Sequence, residues 1–169
     1  MDAAYDPAAW HDFGVGMVGA TAALLGLVFV VVSLHLKAVV NDSVLRRRAE
    51  ITLGLFATAL LASAAFLIPG QSRQALGIEL MPIALIYISL STFATIRATQ
   101  SQRGVSRDRL ARFVFGELSA VLIFAGGLGL VIHALGGAYV VAAGIVLGVL
   151  SSLLAIWTLF VGLGLELEE

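Results

Sequence analysis

With 169 residues, 60% of them hydrophobic, and a mean hydropathy of +1.02, the chain is too apolar for a soluble domain and long enough for one helix bundle. It has no cysteine, which excludes disulfides, thiol catalysis, Cys-ligated zinc and iron–sulfur clusters. The formal net charge of -1 conceals a strong asymmetry along the chain, and 18 glycines in so apolar a sequence suit close helix packing rather than flexible linkers.

Asp2, Asp6 and Asp12 precede the first apolar stretch, residues 13–36, and Trp10 sits just before it, where an interfacial aromatic belongs. A secretory signal carries its basic residues ahead of the apolar stretch. Here Lys37, Arg46, Arg47 and Arg48 follow it, which predicts a retained first span. Residues 37–49 read as a polar loop. A second span is expected at 51–68, ended by the turn pair Pro69 and Gly70. A third is expected at 78–96, with Pro82 in its first turn, where a missing backbone N–H does no harm. Residues 98–112 are the most polar segment. From Leu118 to Leu165 there is no Asp, Glu, Lys or Arg. At ~1.5 Å per residue that stretch makes roughly 72 Å of helix, too long for one crossing of a ~30 Å hydrocarbon core and right for two. Spans are therefore expected at 113–135 and 139–165, joined at Gly136 and Gly137.

The arrangement predicted is an all-α integral membrane bundle of five transmembrane spans, forming a single domain over residues 1–169. Basic residues set its sidedness. Lys37, Arg46, Arg47, Arg48, Arg97, Arg103, Arg107, Arg109 and Arg112 fall on one side, and Arg73 alone falls on the other. This places the N-terminus outside and the C-terminus in the cytoplasm, in a bacterial plasma membrane.

Small residues form the clearest pattern. Gly16, Gly19, Ala20, Ala23 and Gly26 recur at three- and four-residue spacing in the first span, and Gly144 and Gly148 make a GxxxG in the fifth. Without side chains, backbones approach closely and gain dispersion contacts that lipid cannot match. Such faces serve packing within one bundle or between subunits, and Gly16, Gly19, Ala23, Gly144 and Gly148 are the candidate contact residues. Ser89, Thr92 and Thr95 follow one another along the third span and could line a hydrated path together with Glu117. The alternative is that each hydroxyl bonds a carbonyl one turn back and that Glu117 pairs with a nearby arginine. Arg46, Arg47, Arg48, Arg107 and Arg109 are candidate contacts for anionic lipid headgroups, although topogenic charge alone accounts for them. His35 and His133 lie near opposite faces, too far apart to share a metal. No HExxH, GxSxG or nucleotide-binding glycine loop occurs. No enzyme activity, metal, cofactor or nucleic-acid partner is expected; membrane lipids, further copies of the chain and another membrane protein are the expected partners.

The opening run Trp10, His11, Asp12, Phe13, then Ala22 through Val30 and Ser33, with Ile68, Pro69, Gly70 and Gln71 after the second span, resembles a group of small uncharacterised actinobacterial polytopic membrane proteins. Some of these are labelled modulators of the membrane-bound AAA protease FtsH. The resemblance covers about the first half of the chain, rests on apolar motifs and implies a binding role without transferring any functional residue. The expected function is that of a non-enzymatic membrane protein acting through helix–helix contacts, as a homo-oligomeric scaffold or a modulator of another membrane complex. The alternative is an oligomeric ion or proton channel, or small transporter, with the third span lining the path.

Overall fold

The computed structural model describes residues 3–101 and 107–166, with side chains at most positions outside 97–113 and up to Trp157. After two 3-10 turns at Ala3–Tyr5 and Pro7–Trp10 come α1 (His11–Leu34), α2 (Leu36–Asn41), α3 (Ser43–Ala65), α4 (Arg73–Ser101), α5 (Arg107–Ile132) and α6 (Gly137–Glu166). Among the described residues five helical segments are long and apolar enough to cross a membrane. They are Pro7–Leu34, Leu45–Ala65, Arg73–Ala94, Val114–Ile132 and Gly137–Trp157.

Several boundaries differ from expectation, each for a local reason. Residues 37–49 are not a loop. The backbone breaks at His35, runs through α2, and breaks again at Asp42, which starts α3: its carboxylate accepts from Leu45 N–H at 3.4 Å while its carbonyl accepts from Arg46 N–H. α3 stops at Ala65, ahead of Pro69, in tightening turns where Phe66, Leu67 and Ile68 N–H each donate three residues back. Gly70 follows at φ 66, the left-handed conformation glycine tolerates. α4 begins earlier than residue 78 because Ser72 caps it, its Oγ accepting from Ala75 N–H at 3.2 Å. Pro82 is consequently inside the helix, on its exposed side, instead of in the first turn.

α3, α4, α5 and α6 form a ring in which each helix packs on the next and α6 closes on α3. Phe56, Leu76, Leu80, Ile123, Leu130, Val141 and Ile145 fill its centre with no exposed surface. α5 is gripped on both sides by glycines. Gly77 of α4 and Gly127 of α5 lie backbone to backbone, and a Cβ at Gly126 would fall 2.6 Å from Val141 N on α6. α1 packs outside the ring, chiefly on α3, through one narrow seam of Gly14, Thr21, Val28 and Val31. A Cβ at Gly14 would come within 3.0 Å of Phe66 Cβ, so glycine sets how closely α1 lies.

At the end of the bundle bearing Trp10, aromatic side chains tie the N-terminal segment down. The Trp10 ring stands edge-on to Tyr139 at 4.7 Å and to Phe13 at 5.6 Å, and its Nε1–H donates to Ala3 O at 2.6 Å. The Tyr5 ring lies 4.1 Å from His133, and Tyr5 Oη accepts from Gly136 N–H at 3.0 Å, in the turn between α5 and α6. Edge-to-face pairs add about 0.5–1.5 kcal/mol each beyond burial. Trp10→Ala is therefore expected to lower stability by about 1–3 kcal/mol, read as a shifted midpoint in detergent-titration unfolding followed by circular dichroism.

Candidate functional site

Two regions stand out. The first is the back of α1. At ~100° per residue, Gly16, Gly19, Ala20, Ala23 and Gly26 fall roughly opposite the Gly14, Thr21 and Val28 seam. Among the described residues, no atom beyond the local helix turn lies within 4 Å of a Cβ added at Gly16, Gly19 or Gly26, and Ala20 and Ala23 are exposed. The face that the sequence marks for helix packing has no neighbour among the described residues.

Gly144 and Gly148 have the opposite placement. A Cβ at Gly144 would sit 2.9 Å from Ile123 N and Ser119 O, and one at Gly148 would sit 2.6 Å from Ser119 Oγ. Ser119 Oγ–H in turn donates to Gly144 O at 2.8 Å. The GxxxG of α6 thus seats α5 within the subunit, one of the two kinds of packing expected of it. The two motifs look alike in the sequence; which face meets a neighbour depends on the rest of the bundle.

The second region is a polar seam between α4 and α5 at the end bearing the arginines. Ser89 is exposed and donates to Leu85 O at 2.7 Å, Thr92 is half-buried, and the Thr95 side chain lies outside the described ones. The buried hydroxyl is that of Ser91, which meets the Glu117 carboxyl across the seam. Glu117 stands out in the sequence, whereas Ser91 falls outside the regular stripe. Its signal is the seam spacing Leu76, Leu80, Ala84, Tyr87, Ser91, all buried in the structure. Beside this pair, Tyr87 packs against Gly116, where a Cβ would fall 2.9 Å from Tyr87 Oη.

The arginine run spreads around α3. Arg46 and Arg48 are exposed, Arg46 Nε lying 3.9 Å from Glu50 Oε1, whereas Arg47 turns inward and its guanidinium donates to Ala94 O of α4. An anionic headgroup would find Arg46 and Arg48 at the surface, with Arg47 already engaged by the bundle. The side chains of Arg107 and Arg109 lie outside the described ones. At the other end, Asp6, His11, Asp12, Phe66 and Gln71 border an open cleft of about 470 Å³. Gln71 Nε2 donates to Glu79 Oε2 at 2.6 Å, and Gln71 Oε1 is buried without a partner among the described residues.

No family model, curated protein or solved structure matches this chain.

Proposed function

We propose that the chain is a non-enzymatic multi-pass protein of a bacterial plasma membrane that works through helix–helix contacts, assembling with its own copies or docking on another membrane complex. The observation that carries this is the unpartnered back of α1. Glycine in a helix interior costs about 1 kcal/mol relative to alanine. Gly16, Gly19 and Gly26 incur that cost with nothing among the described residues to fill the space they leave. A second helix lying on them recovers it as close backbone packing. The resemblance of the first half of the chain to proteins labelled modulators of FtsH points the same way, toward binding. The experiment is self-association and co-purification of the full chain from lipid vesicles and cells, compared with the Gly16→Leu/Gly19→Leu variant. A chain that stays single at every protein-to-lipid ratio and retains no other membrane protein overturns the reading.

A second reading, an oligomeric ion or proton conductor, draws on Glu117 in the α4–α5 seam. Ser89 faces away from the bundle and would line a path only between subunits.

The proposed orientation keeps the N-terminus outside and the arginine end in the cytoplasm, supported by Lys37, Arg46, Arg47 and Arg48 gathering around α2 and the start of α3. Because the chain has no cysteine, single introduced thiols report sidedness directly. Gln74→Cys, exposed at the start of α4, should react with a membrane-impermeant maleimide in intact cells. Ser43→Cys, exposed at the start of α3, should react only after lysis. The reverse pattern inverts the topology.

A further inference from the structure

We propose that the four-helix ring binds water in its arginine-side half, at a site framed by the hydroxyls of Ser152, Thr52 and Tyr87. The starting observation is Ser152. Its side chain has no exposed surface, and its Oγ has no hydrogen-bond partner among the described residues. A hydroxyl buried without a partner is costly. Other hydroxyls in the chain avoid that cost in two ways. Thr21, Ser33, Thr58, Ser63, Ser89 and Ser91 each donate to the carbonyl four residues back, and Ser119 donates across to Gly144 O. Ser152 does neither, although the Gly148 carbonyl stands at the same spacing.

Two more hydroxyls lie near its level, and Leu55 sets the register. Leu55 Cδ1 is 3.5 Å from a Cβ placed at Gly148 of α6, and its Cδ2 is 3.6 Å from one placed at Gly116 of α5. Tyr87 reaches the same point from α4, its Oη 2.9 Å from the Gly116 position. The end of α3 and the start of α6 both meet Trp10, through Phe66 and Tyr139, so the two helices run in opposite directions. Ser152 therefore follows Gly148 by one turn toward the arginine end, and Thr52 precedes Leu55 by about one turn toward that same end. Thr52 and Tyr87 are both buried, and neither hydroxyl makes a hydrogen bond among the described residues. Three helices of the ring thus each bring one unbonded hydroxyl to the region around Leu55.

The chemistry selects water. Each of these hydroxyls can both donate and accept. Ser119 Oγ, 2.6 Å from the Gly148 Cβ position, has its hydrogen engaged by Gly144 O and can still accept. The guest must therefore give and take hydrogen bonds without bringing a charge, and it must be small enough to sit among packed helices. Two to four neutral partners of this kind are what a buried water takes. Beyond Leu55, toward the other end, Phe56, Ile123, Leu130, Val141 and Ile145 fill the ring with no exposed surface and offer such a molecule no side-chain partner. The wet part of the bundle is thus its arginine-side interior and not the exposed Ser89 face of α4. The site does not depend on either functional reading.

The test is hydroxyl-radical footprinting of the full chain in lipid vesicles, with the radicals made by X-ray radiolysis so that bound water is itself their source. Tyr87 should be oxidised although it is buried, while Phe56, at least as deeply buried but among apolar side chains, stays unmodified. Thr52→Val with Ser152→Ala should abolish oxidation of Tyr87 and leave that of exposed Tyr139 unchanged. An unmodified Tyr87 in the wild-type chain, oxidation of Phe56 alongside it, or an undiminished Tyr87 yield in the double variant overturns the proposal. Unfolding in mixed micelles reports independently. Ser152→Ala should lower the midpoint by removing a partner of the water, whereas loss of a dry, unpartnered hydroxyl raises it. A midpoint that rises or does not move overturns the proposal equally.

Discussion

Gly144→Leu is expected to cost roughly 3 kcal/mol or more of bundle stability, through clashes that no rotamer relieves. The atoms a side chain would strike are backbone, Ile123 N and Ser119 O at 2.9 Å, so α6 must move away from α5 as a body. That movement also breaks the Ser119 hydroxyl bond to Gly144 O, leaving both groups unsatisfied in an apolar setting. Gly126→Val should behave alike, since it meets Val141 N at 2.6 Å from the other side of the same interface. Unfolding in mixed micelles, followed by the fluorescence of Trp10 and Trp157, reads the effect. If Gly144→Leu unfolds at the wild-type midpoint but no longer self-associates, the α5–α6 interface is wrong and the motif faces a partner.

Gly16→Leu with Gly19→Leu should give the opposite pair of results. The added side chains enter open space within the subunit, and leucine is the better helix former, so unfolding of the isolated subunit should shift little or upward. Association should weaken roughly ten- to a hundredfold, the equivalent of about 1–3 kcal/mol of overpacking at the contact. Single-molecule photobleaching in vesicles, across a range of protein-to-lipid ratios, measures it. The combination of unchanged stability and lost association separates this face from that of Gly144. Unchanged association would mean that lipid is all that covers α1.

The spans were legible because a soluble fold has little use for so many residues in a row without a charge. Where polar residues occur within a helix, that signal fails. Arg73 and Gln74 look like loop, yet Ser72 caps a helix that includes them, and Asp42 does the same for Arg46. Length and hydropathy count residues; they do not see a cap. Rotation was less legible still. Gly16 and Gly144 sit in similar strings of small residues, and only the position of α5 shows that one is covered and the other is not. For the polar seam, Glu117 was visible as a charge in an apolar run. Its partner Ser91 was obscured by three other hydroxyls at regular spacing, one of which, Ser89, faces outward. The ring contact between Tyr5 and His133 had no signal at all, because nothing local links two residues so far apart in the chain.

That last contact bears on biogenesis. Tyr5 finds its hydrogen-bond donor, Gly136, 131 residues further along the chain, so it is synthesised well before its mate. Until the final helical hairpin inserts, the aromatic groups at the beginning of the chain wait without their mates. Their docking therefore follows insertion of the α5–α6 hairpin, and a chain stalled before α6 leaves these rings without the partners they have in the fold.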